Sequence, residues 1–172
     1  ELGNNSNVES NVPVVVSGLG SGVQAIAAGY HHVCAIYGGT LRCWGANGYG
    51  DLGNSSTANS PVPVTVSGIS AGAQGIAAGV NSTCALVDGA ASCWGWNRSG
   101  QIGDGDLIES HVPAAVTGLS SGVDSVDTSW GEHACANQGG TVMCWGSNSN
   151  GQLGNGTTVT AKTPIAVNAW AP

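Results

Sequence analysis

The sequence predicts an all-β protein built from repeated four-stranded antiparallel units of the propeller-blade type. About three and a half units are present, with no closed ring within one chain. Three observations carry this prediction. The tripeptide Cys-Trp-Gly recurs at Cys43-Trp44-Gly45, Cys93-Trp94-Gly95 and Cys144-Trp145-Gly146, at spacings of 50 and 51 residues. A second cysteine precedes each tripeptide in step, at Cys34, Cys84 and Cys135. Between the members of every pair lies a dipeptide suited to a two-residue hairpin turn. A self-similar period near 50 residues, with short strand-like runs and no convincing helix, marks a blade array.

Each period opens on a valine-proline run, at residues 12–16, 62–66 and 112–116. The run alternates apolar positions as a half-buried strand does, and its proline suits a strand start or edge because it donates no ladder hydrogen bond. A small-residue strand follows near Ala25, Gly75 and Ser125. Next comes a hairpin whose turns are Gly38-Gly39, Asp88-Gly89 and Gly139-Gly140, dipeptides that tolerate the positive φ of a type I′ loop. With these turns Cys34 faces Cys43, Cys84 faces Cys93, and Cys135 faces Cys144, each on the fourth rung from the loop. That rung is not hydrogen-bonded, so side chains approach closely there and a cross-strand disulfide fits. Three such bridges imply an oxidising compartment.

The repeat boundaries read 1–50, 51–100, 101–151 and a partial fourth unit, 152–172. That last unit supplies only a valine-proline strand, from Thr163 to Val167. An isolated strand cannot satisfy its backbone groups. Residues 152–172 are therefore expected to be a junction strand. They would pair with a neighbouring copy's first unit or with a continuation of the polypeptide, and Trp170 would anchor the junction.

Composition narrows the function. Three basic residues against ten acidic ones give a net charge of −7, which excludes a basic nucleic-acid-binding surface and a polybasic membrane anchor. No apolar run approaches the roughly 20 residues of a membrane-spanning helix. No signal peptide is present, so a secreted protein would be represented here by its mature or partial chain.

Downstream of each tripeptide the cadence continues, best seen in His133-Ala134-Cys135-Ala136 and in the run from Cys144 through Asn148 and Gly151-Gln152-Leu153-Gly154. This cadence resembles the regulator of chromosome condensation repeat in its cysteine-bearing bacterial form, across essentially the whole chain. The resemblance implies four-stranded propeller blades, usually seven to a ring. Its members include a nuclear exchange factor for a small GTPase, secreted inhibitors of β-lactamase and surface proteins. The family motif consists of structural glycines and tryptophans, so it transfers no functional residue.

The search for chemistry finds no catalytic or metal-binding pattern and implies no cofactor. The histidines His31, His32 and His133 read as strand-end hydrogen-bonding groups rather than ligands, with no HxxxH or CxxC nearby. Asp104 and Asp106 occupy a turn and lack the further ligands of a calcium loop. The recurrent Trp44, Trp94 and Trp145 read as core between blades. Trp96, Trp130 and Trp170 do not recur, and each is a candidate contact surface. Five N-x-S/T sequons mark Asn4, Asn54, Asn81, Asn97 and Asn155 as possible glycosylation positions.

The expected function is a non-enzymatic, extracellular or cell-surface structural protein that self-associates through its terminal strands, including into a fibre. Its partners would be copies of itself or further repeats of the same polypeptide. The alternative is a secreted propeller binding module, of inhibitor or recognition type, that grips another protein as part of a seven-bladed ring. Neither reading involves nucleic acid or membrane insertion.

Overall fold

The computed structural model describes residues 1–128, 130 and 132–167. Twelve strands of six residues form three four-stranded antiparallel sheets among these residues. The first blade contains β1 (Val23–Ala28), β2 (His32–Tyr37), β3 (Thr40–Gly45) and β4 (Ser60–Thr65), in that spatial order. The second contains β5 (Ala73–Ala78), β6 (Ser82–Val87), β7 (Ala90–Gly95) and β8 (Ser110–Ala115). The third contains β9 (Val123–Thr128), β10 (His133–Gln138), β11 (Thr141–Gly146) and β12 (Ala161–Ala166).

Each central hairpin follows from its turn. Gly38-Gly39, Asp88-Gly89 and Gly139-Gly140 all adopt positive φ at both positions, the type I′ geometry whose twist matches that of the flanking strands. Cys34 therefore pairs with Cys43, Cys84 with Cys93 and Cys135 with Cys144. The paired Cα atoms lie 4.0 or 4.1 Å apart, and all three pairs are disulfide-bonded. The glycine of each Cys-Trp-Gly tripeptide ends the hairpin on a bulge, with Gly45 at a φ of 110°. A Cβ at that position would collide with the His31 carbonyl, so only glycine lets the chain leave the sheet there.

The blade and the sequence period are out of phase by one strand. The valine-proline run of each period pairs with the hairpin of the period before it. Thus β4 lies on β3, β8 on β7 and β12 on β11. These strands, with Pro61, Pro63, Pro113 and Pro164, all occupy sheet edges, where a missing N–H costs no ladder bond.

Two expectations are corrected by this arrangement. Residues 152–172 were expected to pair outside the chain, but β12 completes the third blade, with Met143 opposite Ala166 and Cys144 opposite Ile165. The Gly105 N–H also donates to the Lys162 carbonyl and ties β12 to the preceding period. The same bond recurs from Asn5 to Pro61 and from Ser55 to His111. Conversely, residues 12–16 form no strand. Among the described residues no hairpin lies one period earlier for them to pair with.

The core lies between blades. Cys34, Ile36, Leu41 and Cys43 of the first blade pack with Ala73, Ala85 and Trp94 of the second. Cys84, Leu86, Ala91 and Cys93 of the second pack with Ala134, Ala136 and Trp145 of the third. Every hairpin tryptophan also donates its indole N–H backwards. Trp44 reaches the Glu1 carbonyl, Trp94 that of Asp51 and Trp145 that of Gln101, at 2.8–2.9 Å. The recurrent tryptophans thus join each blade to the segment before it, by area and by one directional bond.

The long loop after each hairpin is held by one buried asparagine. The Asn47 carboxamide oxygen accepts from the Leu52 N–H, and its nitrogen donates to the Ser56 and Ala58 carbonyls. Asn97 and Asn148 repeat the arrangement. These loops, the β1–β2 and β5–β6 connections and Trp130 lie at one end of the blades. The type I′ turns lie at the other.

Candidate functional site

The loop end carries the residues that depart from the repeat. Tyr30, Val80 and Trp130 occupy one equivalent position in three successive blades. Trp130 is 69% exposed and meets the Tyr30 ring edge-on at 5.0 Å, while Tyr30 lies 4.1 Å from the His31 ring. A second aromatic pair bridges the loops of the first two blades, with Tyr49 and Trp96 at 4.4 Å. The Arg98 guanidinium sits 5.1 Å from the Trp96 ring centre. Together these side chains form an aromatic strip across all three blades.

Between Trp96 and Trp130, two of the non-recurring tryptophans, is a cleft of about 50 Å³. Trp96 and Trp130 line it together with Asn81, Ser82, Gln101 and Glu132. The Glu132 carboxylate accepts a 2.7 Å hydrogen bond from the Ser99 hydroxyl, so a loop of the second blade fastens to one of the third. The cleft therefore lies at a joint between the second and third blades, fastened by this bond.

Below the strip, the joint between the first two blades contains two titrating groups. Thr83 donates to the Asp51 carbonyl, so its hydroxyl accepts from His32 at 2.8 Å and fixes the proton on Nε2 of His32. Burial, assisted by the nearby His31, lowers the His32 pKa to about 4. Burial also raises the Asp51 carboxyl to about 6, opposed by its hydrogen bond from the Tyr49 N–H. The other Asp51 oxygen, Oδ1, is buried without a partner. Both groups sit within the packing, which suits a structural role.

The remaining candidates divide clearly. Asn97 is corrected as a glycosylation position. It is fully buried, and its nitrogen is committed to the Ile108 carbonyl and the Asp106 side chain. Asn4, Asn54, Asn81 and Asn155 are half-buried. In Asn155 the sequon's Thr157 hydroxyl bonds the asparagine oxygen at 3.0 Å. Trp170 lies outside the described residues. Among the described residues no group of three metal-binding side chains converges, and no helix is long and apolar enough to cross a membrane. Tyr30, Tyr49 and Arg98 were not singled out from sequence. Their only signal is that each differs from its counterparts in the other periods.

Disulfide-stapled four-stranded blades with an aromatic strip at one end define a propeller-type repeat protein. The family model of the regulator of chromosome condensation (RCC1) repeat matches residues 1–36, 39–86, 88–136 and 139–170. The chain belongs to this repeat family. No curated protein matches it. Among solved structures, yeast RCC1 (Prp20) bound to Kap60 is similar at a TM-score of 0.76 and 20% identity, over 87% of this chain and 37% of that one. Human WBSCR16 is similar at 0.76 and 25% identity, over 88% and 41%. Prp20p from Saccharomyces cerevisiae, described with its binding to Gsp1p and histones, gives 0.76 and 21%, over 87% and 39%. The chain thus spans about two fifths of the length of these proteins.

Proposed function

We propose that this chain is a non-enzymatic extracellular binding module that grips a protein partner with its aromatic strip. The observation that carries the reading is that Trp96 and Trp130, both outside the repeat pattern, line one cleft. Exposed aromatics on rigid, disulfide-stapled blades suit recognition, because little side-chain entropy is lost on contact. The three disulfides favour an oxidising location. The similar yeast protein bound to Kap60 agrees with use of this fold as a protein-binding scaffold.

The test places a photo-reactive residue at position 130 and, separately, at position 139 in the opposite turn. Cross-linking in the native surroundings should give one discrete protein adduct from position 130, lost in the Trp96→Ala chain. Equal adducts from both positions, or none from 130, would overturn the proposal.

Self-association is the second reading, and it moves from strands to blade faces. Ile26 is 64% exposed on the first blade, whereas its counterparts Ile76 and Val126 pack into the cores between blades. The opposite face of the third blade carries Ser125, Asp127 and Asn137 where the first carries Ala25, Ala27 and Ile36. These polar residues match an apolar face poorly, which disfavours a head-to-tail fibre. Sedimentation velocity decides: a concentration-independent monomer removes this reading.

A further inference from the structure

The cleft between Trp96 and Trp130 has a chemistry more specific than general stickiness. Its space of about 50 Å³ holds a group of a few heavy atoms and no large ring system. Two electron-rich indole side chains and the acidic Glu132 line the same opening. The Ser99 hydroxyl occupies one of the carboxylate's acceptor positions, out of about four such sites. The surrounding protein carries a net charge of −7, so an anionic ligand meets repulsion at long and short range.

We propose that this cleft receives a single cationic side chain, arginine above all, from an exposed segment of a protein partner. The proposal rests on the reading of the strip as a partner-binding surface. Cations are attracted to an indole face within about 6 Å of its centre. The chain already shows this preference internally. Arg98 lies 5.1 Å from the Trp96 ring centre, and Arg42 lies 5.2 Å from that of Tyr37. Arginine is favoured over lysine because its planar fork stacks on an indole while pairing with a carboxylate. Arg98 is then an internal competitor at Trp96.

The probe is the peptide acetyl-Gly-Gly-Arg-Gly-Gly-amide, compared with its citrulline counterpart, which keeps the shape and loses the charge. Indole N–H resonances of the full chain report binding. The arginine peptide should shift the Trp96 and Trp130 resonances and leave those of Trp44, Trp94 and Trp145 in place. Citrulline and Trp130→Val should each weaken binding roughly tenfold, and Glu132→Gln a few-fold. Arg98→Ala should tighten it a few-fold.

Equal binding of arginine and citrulline peptides overturns the proposal, as does an unchanged spectrum. Loss of binding in Arg98→Ala also overturns it, because Arg98 is then part of the site and not a competitor for the Trp96 ring. In all these cases the strip remains the partner surface if the Trp96→Ala chain still loses the adduct formed from position 130. If that adduct is indifferent to Trp96, the broader reading fails instead.

Discussion

Replacing Asp51 with glutamine should stabilise the protein at neutral pH. Asp51 is 2% exposed, with one oxygen on the Tyr49 N–H and the other unpartnered. Gln101 and Gln152 occupy the equivalent position, and their side-chain oxygens accept from the Ser99 and Asn150 N–H groups at 2.9 and 2.8 Å. A neutral amide therefore makes the same bond without a buried charge. The carboxyl's rise from 3.8 to about 6 corresponds to about 3 kcal/mol, at about 1.4 kcal/mol per tenfold change. Because the folded-state value is raised, this contribution is fully present below pH 3.8 and is lost as pH climbs through 6.

Asp51→Gln should thus gain up to about 3 kcal/mol at pH 7.5 and almost nothing at pH 4. Urea unfolding at both pH values measures the difference, with disulfides intact. Asp51→Asn, one methylene shorter, controls for crowding. A gain equal at both pH values, or absent at pH 7.5 in both variants, would refute the reasoning.

His32 should act in the opposite direction. Its folded-state value of about 4 lies below the ordinary 6.5, so its contribution is complete above 6.5 and falls by up to about 3 kcal/mol as pH drops to 4. Thr83→Val, which removes the acceptor of His32, should cost roughly 1–3 kcal/mol at pH 7 in urea unfolding. Non-reducing peptide mapping should recover only the links within hairpins, and the double change Cys84→Ala with Cys93→Ala should cost about 2 kcal/mol. Glycopeptide analysis from a host that modifies sequons should find Asn97 bare, whatever happens at Asn4, Asn54, Asn81 and Asn155.

The hairpins were legible in the sequence because a two-residue turn determines its own register. Once Gly38-Gly39 is a turn, Cys34 must face Cys43, and three copies repeat the arithmetic. The phase of the blade was not legible. A period of 50 residues is the same whether the valine-proline run joins the hairpin ahead of it or behind it, and only the pairing of β4 with β3 decides. The expectation of an unpaired tail followed from that ambiguity. Trp96 and Trp130 were visible as departures from the repeat. Their shared cleft was not, because it depends on how consecutive blades stack. The contact of Tyr30 with Trp130 joins the first blade to the third, a relation that no local pattern encodes.

The central claim is that departures from the repeat at the loop end form the partner surface. Its most direct test restores the repeat there, in a chain carrying Tyr30→Val, Trp96→Ala and Trp130→Val together. These are residues found at the equivalent positions Val80 and Ala46. Calorimetric titration against the partner captured from position 130 would compare it with the unaltered chain. The account predicts an unchanged urea midpoint and a loss of affinity of at least about a hundredfold, the scale of two or more aromatic hot spots. Full affinity in the restored chain would contradict it.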